Sequence, residues 1–73
     1  MIELEPGGAM PACQMDNYVI FYVIKGTVII EVNGERTILK EGQGLITVPA
    51  TISMQTEQGV KIMGIQITKN QAN

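Results

Sequence analysis

Apolar residues in this chain recur in short alternating or continuous runs, never at the three-and-four spacing of an amphipathic helix. The runs are rich in Val, Ile, Thr and Tyr and are punctuated by Gly, Pro and Asn, which predicts strands joined by tight turns. Pro6-Gly7-Gly8 and Met10-Pro11 mark an irregular lead-in. Glu3 and Glu5 share one face of a short N-terminal strand. Tyr18–Lys25 reads as a strand that Gly26 ends or bends, and Thr27–Val32 as a second, with Val28, Ile30 and Val32 on one face. Asn33-Gly34 then separates two strand-like runs. Both residues tolerate positive φ, so a hairpin returns through Glu35–Lys40. Beyond the Glu41–Gly44 turn come Leu45–Val48, Ile52–Gln55 and Val60–Thr68, and the polar tail after Thr68 is expected to fray, above all over 70–73. Strands at this spacing predict one all-β domain over 1–73, a small antiparallel sandwich or barrel.

Composition narrows what such a domain does. The chain of 73 residues has a net charge of −2, five scattered basic residues and three aromatics, Tyr18, Phe21 and Tyr22. That is a poor footing for nucleic acid, which calls for a basic patch. The longest apolar run, Tyr18 to Ile24, is far shorter than a membrane span, and Met1–Glu5 lacks the basic and apolar regions of a signal peptide. The expectation is a cytoplasmic protein that engages neither nucleic acid nor membrane, its single thiol reduced. With one Cys and no His, an intramolecular disulfide and any imidazole site are excluded. A core this small supplies only about 3–5 kcal/mol, which favours reinforcement by a second subunit.

Two segments carry a family resemblance. From Gly7, the spacing to Cys13, Met15, Val19 and Gly26 reproduces the first motif of the cupin superfamily, Gly, five residues, His-x-His, three or four residues, Glu, six residues, Gly. Pro49-x-Thr51 followed by Met54 resembles the second motif, with one extra residue after Gly42. The resemblance covers nearly the whole chain and implies a cupin-type jelly-roll β-barrel. It also implies that the positions where a typical cupin holds iron or manganese with three His and one Glu are here Cys13, Met15, Val19 and Met54. The usual iron, manganese or zinc is therefore not expected.

Strand parity sorts the candidate residues. With Val19 inward, Phe21 and Val23 are inward too, whereas Tyr18, Ile20, Tyr22 and Ile24 face out. An outer face this apolar needs a cover, so those four residues are the expected homodimer interface. Inside, Met15, Val19, Phe21, Met54 and Met63 would offer an apolar wall to a small-molecule ligand. Cys13, Met15 and Met54 would suit only a soft ion such as Cu(I), set against the plainer reading that sulfur side chains fill an emptied barrel. No residue is assigned a catalytic role, since Cys13 has no His to take its proton and the acidic residues show no convergent spacing. The function expected is a non-enzymatic binding module, with a metal-dependent cupin enzyme of oxygenase or isomerase type, built on a non-standard site, as the alternative.

Overall fold

The computed structural model describes residues 1–68; the tail expected to fray lies outside them. Seven strands follow one another: β1 (Ile2–Leu4), β2 (Ala9–Met15), β3 (Tyr18–Val32), β4 (Glu35–Lys40), β5 (Gly44–Thr47), β6 (Ala50–Gln55) and β7 (Val60–Ile67). The expected Tyr18–Lys25 and Thr27–Val32 strands are thus a single long one. Gly26 bends it but does not end it. The lead-in read as irregular is also a strand, β2, and β1 is the short N-terminal one.

Every pairing is antiparallel. β3 runs down the middle, flanked on one edge by β5 and then β4, and on the other by β7 and then β6. β1 lies outside β7 and β2 outside β6. The result is four ribbons, each interrupted at the same level, curled into an elongated half-barrel with extents of 45 × 23 × 16 Å.

The interruption in β3 is a one-residue bulge between Val23 and Lys25. Bulges let a strand pass from one sheet to another, and here the N-terminal half of β3 belongs with β5 and β7, the C-terminal half with β4 and β6. The extra residue also switches the parity. Val19, Phe21 and Val23 are buried before it, Val28 and Ile30 after it. With Leu39, Ala50, Ile52, Met54, Val60 and Ile62 they form one continuous core on the concave face.

Hydrogen bonds stitch the ribbons together at this waist. Gly42 N–H donates to the Val23 carbonyl (2.9 Å) and Val23 N–H to the Gln43 carbonyl (2.9 Å). On the other side Gly7 N–H donates to the Thr56 carbonyl (3.1 Å) and Thr56 N–H to the Gly8 carbonyl (3.1 Å). The buried Thr56 hydroxyl donates to the Thr27 carbonyl at 2.7 Å and accepts from Gly59 N–H at 3.0 Å. Thr56→Val keeps the shape but strands both partners, so it is expected to cost about 1–3 kcal/mol. A urea midpoint unchanged from the parent would contradict this role.

The Asn33-Gly34 turn forms as its sequence predicts, with φ of 51° and 86°. The Asn33 side-chain oxygen also accepts from Thr51 N–H at 3.0 Å, tying the hairpin tip to β6.

Candidate functional site

The concave interior is where a ligand or metal would be expected, and it is filled by side chains. Val19, Phe21 and Met54 are each at most 2% exposed. Phe21 lies between Leu45 of β5 and Gly64 of β7, and a Cβ on Gly64 would sit 3.7 Å from its ring, so the ring covers the glycine. Val19 faces Thr47 and Gln66 across its two neighbours. Thr47, also buried, donates its hydroxyl to the Val19 carbonyl at 3.3 Å. Met15 is half-buried against the core. These residues belong to, or pack against, one continuous core, and that leaves them as packing.

Met63 is not among them. It pairs with Tyr22 and is 39% exposed, on the convex face. The expectation that it lines the interior is corrected by its neighbour Lys61, which shares its parity and keeps that side of β7 outward. The sequence carried that signal.

The three sulfurs proposed for a soft ion are spread along β2 and β6. Cys13 pairs with Ile52, and Met15 with Ala50, whereas Met54 pairs with Met10. Met54 therefore stands four residues along β6 from Met15's partner, about 13 Å at 3.3 Å per residue. Three sulfurs sharing one ion at about 2.3 Å stand within roughly 4 Å of one another. Burial separates them further. Met54 is enclosed, while Cys13 is exposed on β2, which is the outer edge of the sheet and has a bulge between Met10 and Cys13. Pro11, which has no N–H to give, sits in that bulge on that edge.

The iron or manganese implied by a cupin barrel does not fit these residues either. Such ions take imidazole and carboxylate ligands. The chain has no His, and among the described residues no three Cys, Asp or Glu side chains are grouped to hold a metal. Val19, which the motif spacing sets at the carboxylate position, offers only methyl groups.

The convex face divides at the waist. Around the C-terminal half of β3 it is largely polar, with Glu31 and Arg36 paired at 3.0 Å and Thr27, Lys40, Ser53 and Gln55 beside them. Ile29 and Ile38 form its one apolar pair, in a shallow cleft of about 250 Å³ shared with Gln55 and Glu57. Around the N-terminal half, Ile20 pairs with Ile46 on one side and Ile65 on the other, Tyr18 with Ile67, and Tyr22 with Met63. Ile24, expected on this face with them, falls in the bulge and is half-buried. Periodicity alone missed Ile46, Val48, Ile65 and Ile67, because only the register brings three strands side by side.

The cupin-domain sequence profile matches residues 1–52. The chain therefore belongs to the cupin family. Solved structures agree on the fold. A conserved protein of unknown function from Streptococcus pyogenes superposes with a TM-score of 0.86 at 12% identity, over 93% of this chain and 60% of that one. The Cnp3 cupin domain of Schizosaccharomyces pombe gives 0.83 at 18% identity, over 92% and 52%. The salicylate 1,2-dioxygenase of Pseudaminobacter salicylatoxidans gives 0.82 at 22% identity, over 88% of this chain but 19% of the enzyme. Identities this low carry the architecture alone. The chain spans roughly half to two-thirds of the smaller structures it matches. By sequence, no curated protein counts as a relative. No helix long and apolar enough to cross a membrane occurs among the described residues.

Proposed function

We propose that this chain is a non-catalytic cupin module, one that has exchanged the metal-holding interior of its family for a packed core and binds through its outer surface. The observation that carries this reading is Val19. By motif spacing it stands where the family's carboxylate ligand is expected; in the structure it is 2% exposed and belongs to the core with Phe21 and Met54. A core position filled by a branched apolar side chain neither ligates a metal nor leaves room for one. The likeness to a dioxygenase lends the fold and no chemistry, because the ligand set of a hard metal is missing. The module works in a reducing compartment, the cytoplasm, a reading supported by Cys13, an exposed thiol with no second cysteine in the chain to pair with.

Metal analysis tests it. Protein purified anaerobically without chelators is expected to hold no stoichiometric iron, manganese or zinc. An anaerobic Cu(I) titration against a competing chelator is expected to show no saturable uptake, because the sulfurs of Cys13, Met15 and Met54 do not converge. One equivalent of iron or manganese per chain would overturn the reading. Uptake of one Cu(I) that Cys13→Ser abolishes would restore a soft-metal site.

A further inference from the structure

The chain carries four asparagines, and Asn33 alone is followed by glycine. Asparagine is a thermolabile residue, and it is most so where the next residue has no side chain to crowd the peptide nitrogen. The reaction balances without oxidant or reductant. The Gly34 backbone nitrogen attacks Cγ of Asn33, a cyclic imide forms, and the side-chain nitrogen leaves as ammonia with the Gly34 amide proton. Water then reopens the ring. Cleavage of the new N–Cγ bond leaves an aspartate at position 33. Cleavage of the original peptide bond leaves isoaspartate, with the chain rerouted through the side chain. Asn33 and Gly34 are both exposed, and the space around Gly34 is open enough that a Cβ there would meet nothing within 4 Å.

We propose that Asn33-Gly34 is a self-modification site that the fold holds in check through Thr51, and that its conversion to isoaspartate irreversibly opens the hairpin tip. Ring closure needs Cγ of Asn33 against the Gly34 nitrogen, the reacting atoms about 3–3.5 Å apart. The structure turns the side chain elsewhere. Asn33 N–H donates to the Thr51 carbonyl at 2.8 Å, and Asn33 Oδ1 accepts from Thr51 N–H at 3.0 Å. Both bonds go to one residue of β6. The side-chain carbonyl is therefore held on the side of Asn33's own N–H, away from the peptide bond that follows. Thr51 is fixed in turn by its pairing with Gln14 of β2 and by a 2.9 Å bond from its hydroxyl to Gln14 Oε1. Attack waits for the tip to leave β6.

The residues that the turn requires are also the ones whose chemistry undoes it. Positive φ at both central positions favours Asn followed by Gly, and the values here are 51° and 86°. Either product adds a carboxylate between Glu31 and Glu35, in a chain already at a net charge of −2. Their structural outcomes differ. An aspartate keeps a side-chain oxygen for Thr51 N–H to bond. Isoaspartate lengthens the backbone by a methylene, so the two-residue turn no longer closes with Val32 opposite Glu35. The paired bonds to Thr51 are lost with it. An opening that ends in isoaspartate is thus one-way. The inference stands apart from the non-catalytic reading, since the reaction proceeds with or without a metal.

Timed incubation of the intact chain in neutral buffer tests it. Samples are cut with trypsin, and the peptide spanning 26–36 is resolved by chromatography and mass spectrometry into its asparagine, aspartate and isoaspartate forms. A synthetic peptide of the same residues, in the same buffer, supplies the unprotected rate. The folded chain is expected to convert at least about tenfold more slowly, which is about 1.4 kcal/mol of protection and within what two hydrogen bonds supply. Isoaspartate should be among the products, since direct hydrolysis of the side chain gives aspartate alone. Thr51→Pro removes the N–H that holds Oδ1 and should bring the rate toward that of the peptide. Asn33→Asp should unfold at the parent's urea midpoint, whereas chains separated with isoaspartate at position 33 should unfold earlier. A folded parent that converts as fast as the peptide overturns the proposal. So does a product free of isoaspartate, or an isoaspartate chain with the parent's midpoint. A Thr51→Pro chain that folds yet converts as slowly as the parent also overturns it. Should that variant fail to fold, the parent and the peptide decide between them.

Discussion

Gly26→Ala is expected to leave the chain predominantly unfolded at 25 °C. Gly26 has φ of +91°, a region that costs an L-residue about 1–2 kcal/mol. A Cβ there would overlap the Gly59 carbonyl oxygen and lie 3.0 Å from the Val60 Cα. Both obstacles are backbone, so no rotamer change relieves them. Relief would have to come from separating β3 from β7 beside the waist, where Gly26 pairs with Val60 and the Thr56 hydroxyl closes the neighbouring turn. Strain and overlap together exceed about 3 kcal/mol, which is most of what a core of this size supplies. Urea unfolding followed by far-UV circular dichroism checks this. A cooperative transition at the parent's midpoint would show that the two strands part without penalty.

Phe21→Ala is the second large effect, expected at about 3–5 kcal/mol. The side chain is 1% exposed and closes over Gly64, so its removal empties the middle of the core. The substitution also separates two readings of the interior. A Phe21 lining a ligand cavity would already be exposed on one side, and its truncation would enlarge the cavity at little cost. A Phe21 that is the core unfolds the chain when removed. Retention of the parent's stability in Phe21→Ala would reopen the case for a pocket.

The fold was largely legible because local and global signals coincide. Asn33-Gly34 set one hairpin by backbone conformation alone, and the β4 strand that follows begins and ends at the expected residues. Alternation placed Val19, Phe21 and Val23 inside and set Val28 and Ile30 on one shared face; that this face is also inside is a change of phase across Gly26 that the one-residue bulge reconciles. What escaped was β2. Pro11, Gln14 and the exposed Cys13 give it no continuous apolar face, since it lies at the edge of the sheet with one neighbour instead of two.

The site was less legible than the fold. Motif spacing located Cys13, Met15, Val19 and Met54, but spacing along the chain does not say which residue stands opposite which. Met10, not Met15, faces Met54: the antiparallel register sets Met15 on Ala50, and the bulge moves the residue opposite Met54 from Pro11 to Met10. Met63 belongs outside although its run is apolar, because Lys61 at the same parity marks that side of β7 as outward. The sheet face shared by Ile46, Ile20 and Ile65 joins residues from three separate runs.

The two-sided embrace of β3 has a consequence for how the chain comes into being. Among the described residues β1 finds its partner only in β7, with Ile2 opposite Ile62, and β2 only in β6, with Met15 opposite Ala50. On a ribosome β1 and β2 thus have no partner among the described residues until β6 and β7 have been made. Pairings between such distant segments fold slowly, on the order of milliseconds to seconds. Throughout that interval the apolar rows of β3 stand uncovered on both faces. The chain is thus most prone to self-association before these pairings have formed, while apolar rows and strand edges are both uncovered.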